Sequence, residues 1–111
     1  MMFTNLLLAF IMVFTMSSDA AIIRMYSDGS CKNFIGERNV WDNTCAPETG
    51  FSSYEITTAG GHLQMIRSYS PNNCGSGETS CQFADSLNLC NRAFNDAGAS
   101  NALGSSLWPC T

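Results

Sequence analysis

A nine-residue segment occurs twice in this chain. Ile23-Arg24-Met25-Tyr26-Ser27-Asp28-Gly29-Ser30-Cys31 returns 43 residues later as Ile66-Arg67-Ser68-Tyr69-Ser70-Pro71-Asn72-Asn73-Cys74, with Ile, Arg, Tyr, Ser and Cys at matching offsets. A second short match follows each copy, Gly50-Phe51-Ser52-Ser53 and Gly104-Ser105-Ser106-Leu107. Duplication within so short a chain implies two similar supersecondary units that share one core. The first unit runs over about 22–56 and the second over about 63–110, joined by the Gly-rich turn Thr57-Thr58-Ala59-Gly60-Gly61-His62.

The N-terminus has a different character. Leu6 to Phe14 is unbroken apolar sequence, and Ser18 and Ala20 are small residues at −3 and −1 of a cut before Ala21. An apolar run of this length suits a secretory leader and falls short of the roughly 20 residues of a bilayer-spanning helix. Residues 1–20 are therefore expected to be a signal peptide, leaving 21–111 as a single domain. That domain carries five basic and eight acidic residues, a net charge of −3. Scattered, mildly acidic charge argues against nucleic acid or an anionic membrane as partner. No membrane insertion is expected, and a monomer is.

All six cysteines follow the leader. An even count in a short secreted chain reads as three disulfides, in any of 15 connectivities. There is no Cys-x-x-Cys and one histidine, so a zinc cluster is not expected. The duplication narrows the pairing. Cys31 and Cys74 are equivalent, and Cys45 and Cys90 follow them at 14 and 16 residues. If each unit keeps its own bridge, the pairs are Cys31–Cys45 and Cys74–Cys90, with Cys81–Cys110 by elimination.

Strands are predicted over Ile22–Tyr26, Leu63–Tyr69 and Ser52–Ile56, where apolar and polar residues interleave and turn clusters follow. Ser27-Asp28-Gly29-Ser30 and Ser70-Pro71-Asn72-Asn73 are such turns. Phe83 to Phe94 fits a helical face (Phe83, Leu87, Cys90, Phe94) and also strand alternation (Leu87, Leu89). The first unit has no helix-like pattern at the matching place, which favours strand or irregular structure.

A strand ending in Tyr, then Ser-Asp-Gly-Ser, then Cys31 packed five positions on, with Ser52-Ser53 leading into a later strand, resembles the opening of a βγ-crystallin Greek key. The resemblance covers nearly all of the chain after the leader. It departs at Asn33, where the first unit lacks the expected Gly, and at Gly75, one position early in the second. Cys31 and Cys74 stand where crystallins carry a second aromatic, which is similar to the cysteine-rich secreted proteins of ascomycete fungi and their killer-toxin-like members. The resemblance implies an all-β fold, a two-motif Greek-key sandwich stapled by three disulfides. The family's calcium stretches would fall on Glu48-Thr49-Gly50-Phe51-Ser52-Ser53 and Asn101-Ala102-Leu103-Gly104-Ser105-Ser106. Each keeps a suitable oxygen only at its first position, whereas Ca²⁺ takes six to eight oxygens. No metal and no cofactor are expected.

Catalytic chemistry finds little footing. His62 lies beside Gly60-Gly61 in the inter-unit turn and no Gly-x-Ser-x-Gly elbow occurs. Asp28, Glu37, Asp42, Glu48 and Glu55 could supply an acid pair, but their spacing selects none. The chain reads as a non-enzyme. Trp41, within Asn39-Val40-Trp41-Asp42-Asn43, together with Phe51 and Tyr54, is the candidate binding surface. Trp108, beside Pro109-Cys110, is expected to pack against the terminal bridge, and Tyr26 and Tyr69 to be structural. The expected function is that of a secreted fungal effector-like protein. It would bind a host protein or cell-wall component, outside cells or in the host apoplast, and modulate plant immunity or cell death. The alternatives are a killer-toxin-like antimicrobial and a carbohydrate-binding wall protein of the producer.

Overall fold

A computed structural model describes residues 20–96 and 98–110. The signal peptide expected over residues 1–20 lies outside the described residues up to position 19, and Ala20 opens the first strand. The described residues form nine strands: β1 (Ala20–Tyr26), β2 (Phe34–Trp41), β3 (Cys45–Phe51), β4 (Ser53–Thr58), β5 (Met65–Tyr69), β6 (Glu78–Phe83), β7 (Asn91–Arg92), β8 (Phe94–Asn95) and β9 (Gly98–Ser106). No helix occurs among the described residues, and Phe83–Phe94 is strand and irregular chain.

Two antiparallel sheets result. The first has the order β2-β1-β4-β7 and the second β3-β9-β5-β6, with β8 pairing to β9. The first unit contributes β1, β2 and β4 to the first sheet but sends β3 to the second. The second unit contributes β5, β6 and β9 to the second sheet and sends β7 to the first. Each unit thus lends its third strand to the other, an arrangement compatible with the two-motif Greek-key resemblance.

The core follows from period-two alternation. Ala21, Ile23 and Met25 on β1 and Tyr54 and Ile56 on β4 face inward, and Phe51, Ile66 and Leu103 meet them from the second sheet. Phe51 and Tyr54 pack edge to face, with ring centroids 6.3 Å apart. A chain of hydroxyls closes the inner layer between sheets. Ser80 Oγ on β6 donates to the Tyr54 hydroxyl at 3.1 Å, and Ser68, Thr79 and Ser100 link onward to the Ala93 carbonyl. Burial pushes the Tyr54 phenol up to about 12, with the Ser80 hydrogen bond opposing it.

The disulfides correct the expected pairing. They are Cys31–Cys90, Cys45–Cys74 and Cys81–Cys110. The third agrees with the sequence reading, whereas Cys31–Cys45 and Cys74–Cys90 do not form. The equivalences themselves hold: Cys31 and Cys74 sit in the β1–β2 and β5–β6 loops, and Cys45 and Cys90 stand at the head of the third strands. Because those strands are exchanged, each loop cysteine meets the third-strand cysteine of the opposite unit.

The register corrects the second sequence match. Tyr26 pairs with Ser53 and Arg24 with Glu55, while Tyr69 pairs with Ala102 and Arg67 with Gly104. Ser53 is therefore matched by Ala102, and Gly104 stands where the first unit has Glu55. Asn101 to Ser106 lies inside β9, so that stretch forms no loop.

Candidate binding cleft

The duplicated Ile-Arg-x-Tyr segments place Arg24 and Tyr26 on the outer side of the first sheet and Arg67 and Tyr69 on that of the second. The two faces are built differently. On the first, Tyr26 donates its hydroxyl to Glu55 and accepts from Arg24 Nε at 3.4 Å. The Arg24 guanidinium lies 4.0 Å from the centre of the Phe34 ring and 3.7 Å from Glu37. The hydrogen bond with Tyr26 holds the Arg24 proton more tightly than usual. This face is filled by its own side chains.

On the second face the carboxylate position is Gly104. Its lack of a side chain is required, because a Cβ there would stand 2.8 Å from Cys74 Sγ and 3.0 Å from the Thr44 carbonyl. The Cys45–Cys74 bridge therefore crosses directly above the strand. Beside it opens a cleft of about 310 Å³, walled by Asn43, Thr44, Arg67, Tyr69, Ser106 and Trp108. That volume lies at the lower end of the range for small-molecule sites, about 300–1,000 Å³. Among the described residues the Tyr69 hydroxyl has no hydrogen-bond partner.

Arg67 is turned away from free duty. It pairs with Glu78 at 3.0 Å, donates from Nη1 to Ser106 Oγ at 3.2 Å, and donates from Nη2 to the carbonyls of Trp108 and Pro109, each at 2.8 Å. These bonds, with the Cys81–Cys110 bridge, fasten the C-terminal tail across the second sheet. The Trp108 backbone is thereby fixed while the residue stays 75 % exposed. The expectation that Trp108 packs on the terminal bridge is thus corrected: the tail is anchored through its backbone, leaving the indole free.

The other sequence candidates separate. Trp41 is half exposed at the end of β2. Phe51 and Tyr54 are fully buried and belong to the core, so neither offers a binding surface. Their positions, next to the turn where the chain passes from the second sheet to the first, direct both rings between the sheets. Tyr26 is buried and structural as expected, whereas Tyr69 lines the cleft. His62 is exposed in the linker.

The five carboxylates considered for an acid pair are held in structural roles, with Glu37 and Glu55 sharing one cluster and the other three apart. Asp28 caps the β1–β2 loop, accepting from the backbone N–H of Asn33 (2.8 Å), Lys32 (3.0 Å) and Ser30 (3.1 Å). These bonds, led by Asn33, lower its pKa. Glu37 and Glu55 face Arg24 and Tyr26, and Glu48 pairs with Arg38. Asp42 accepts from the Gly61 N–H at 3.4 Å.

No family model matches this chain, and no curated protein or solved structure matches it either.

Proposed function

We propose that this chain is a secreted, non-enzymatic binding protein of the small cysteine-rich effector type. It acts outside the producing cell by engaging a host protein or wall component and modulates plant immunity or cell death. The observation that carries the reading is the bridge pattern. All six cysteines are oxidised, two bridges cross between the units and the third straps down the tail. Disulfides of this density fit an oxidising, extracellular setting. Crossed bridges also suppress the local opening on which proteases depend. Among the described residues no helix is long and apolar enough to cross a membrane. The crystallin-like, killer-toxin-like ancestry suggested by the sequence is part of the same proposal, and the exchange of third strands supports it.

The cleft supports binding over turnover. Its walls supply hydroxyls, an amide, a neutralised arginine and an exposed indole, which are groups that orient a ligand. The test is a side-by-side assay of the oxidised protein on plant leaves and on cultured yeast and bacteria. Leaf cell death or altered immune output without microbial effect supports the reading. Microbial growth arrest with silent leaves overturns it in favour of an antimicrobial.

A further inference from the structure

We infer that the cleft beside Tyr69 binds a neutral pyranose unit, with Trp108 as the stacking platform and the Tyr69 hydroxyl as the polar anchor. The inference deepens the extracellular binding role proposed above and rests on it. The internal duplication is its evidence. In the first unit the tyrosine hydroxyl is answered by Glu55, and the neighbouring space is occupied by Arg24 and Phe34. In the second unit the same tyrosine is kept, the carboxylate is replaced by Gly104 with the Cys45–Cys74 bridge above it, and about 310 Å³ of space stands open beside that bridge. One copy of a duplicated site is filled from within the chain. The other retains the polar group and lacks its partner.

The chemistry of the walls selects the ligand. Among the described residues Arg67 is the one charged group lining the cleft, and its donors go to Glu78, Ser106 and two tail carbonyls. An anion would find that charge already neutralised, on a protein whose net charge is itself negative. A purely apolar ligand would bury the Tyr69 hydroxyl and the Asn43 side-chain amide without partners, which costs free energy. A hydroxyl-rich neutral ring satisfies both constraints, because each hydroxyl donates and accepts. The remaining requirement is an aromatic face for the C–H side of the sugar, whose weakly positive hydrogens match the negative face of a π-system. Trp108 supplies one, and its backbone is held on both sides by the β9 pairing and the Cys110 bridge. A platform fixed before binding loses little conformational freedom on binding.

The test is calorimetric titration of the disulfide-bonded protein with neutral tetrasaccharides of glucose, N-acetylglucosamine and mannose, with tetragalacturonate as the acidic arm. Trp108→Ala, Tyr69→Phe and Trp41→Ala are run in parallel, with non-reducing peptide maps to verify intact bridges. The expected result is saturable binding of at least one neutral sugar. Trp108→Ala and Tyr69→Phe should each weaken it by about tenfold, the scale of one lost hydrogen bond or stacking contact, and Trp41→Ala should leave it unchanged. The inference is overturned by no binding of any neutral sugar up to about 10 mM, an affinity too weak to be specific. It is also overturned if tetragalacturonate binds more tightly, or if Trp41→Ala, and not Trp108→Ala, abolishes binding. Sugar binding with silent leaves would retire the host-directed reading and keep the site. A leaf response without sugar binding would retire the site alone.

Discussion

Removing cysteines in chosen pairs tests whether the third strands are exchanged. The Cys31–Cys90 bridge spans 59 residues and the Cys45–Cys74 bridge 29. In the chain-entropy account, deleting a cross-link of the first size costs about 4 kcal/mol and of the second about 3.5 kcal/mol. Against a total stability of about 5–15 kcal/mol for a small domain, either loss is large. The Cys31→Ala/Cys90→Ala double variant should fold with no free thiol, because it deletes both ends of one bridge. Its guanidinium midpoint should fall by the equivalent of about 4 kcal/mol. The Cys31→Ala/Cys45→Ala variant should instead leave Cys90 and Cys74 as orphans and titrate two thiols in a thiol-reactive dye assay. Bridges kept within each unit would give the second variant no thiols. That result, or a loss below about 1 kcal/mol for the first variant, would refute the exchange and its energetic weight.

Three further outcomes follow from the two unequal faces and the buried acid. Tyr26→Phe should cost about 1.5–3 kcal/mol by chemical denaturation, because its hydroxyl donates to a carboxylate. Tyr69→Phe should cost almost nothing, and equal losses would count against the asymmetry. Gly104→Ala should lose about 1–3 kcal/mol by driving a methyl against Cys74 Sγ and a backbone carbonyl. Gly36→Ala, where the nearest atom is the Met25 Cε at 3.8 Å, should be tolerated in the same thermal melts. Glu48 has a side chain only 7 % exposed, and burial raises its pKa above the ordinary carboxylate value against the opposing pull of Arg38. The folded protein therefore holds that proton longer than the unfolded chain. The associated stability is complete below the ordinary carboxylate range and is lost as pH rises through the raised value. Glu48→Gln should flatten that part of the stability–pH curve, and an unchanged curve would contradict the assignment.

The strands legible in the sequence are those with one wet and one dry face. β1, β4 and β5 lie inside their sheets, and their alternation exposed them. β2, β3, β6 and β7 are edge strands, exposed or half-buried along most of their length, so no apolar period marks them. Pro47 on β3 is tolerated for the same reason. β9 is central yet was missed because it runs Gly-Ala-Ser-Asn-Ala-Leu-Gly-Ser-Ser. Its small residues look like a loop, and Gly104 is small because a disulfide crosses it. The repeat revealed which cysteines are equivalent but not which sheet receives the third strand, so equivalence was legible and partnership was not. The cleft stayed hidden for a related reason. Its signal is the contrast of Glu55 with Gly104, and that contrast emerges only once strand register replaces the Ser-Ser match as the guide.

The crossed bridges also change what a cut in this chain would do. His62 and Leu63 are exposed in the segment joining the units, a natural place for a protease to nick. Both Cys31–Cys90 and Cys45–Cys74 span that segment. A molecule cleaved there would remain one covalent particle, migrating as a single band until a reductant separated its halves. Each half would still hold a strand in the other's sheet, so the wound would be invisible to any partner that reads only the folded surface.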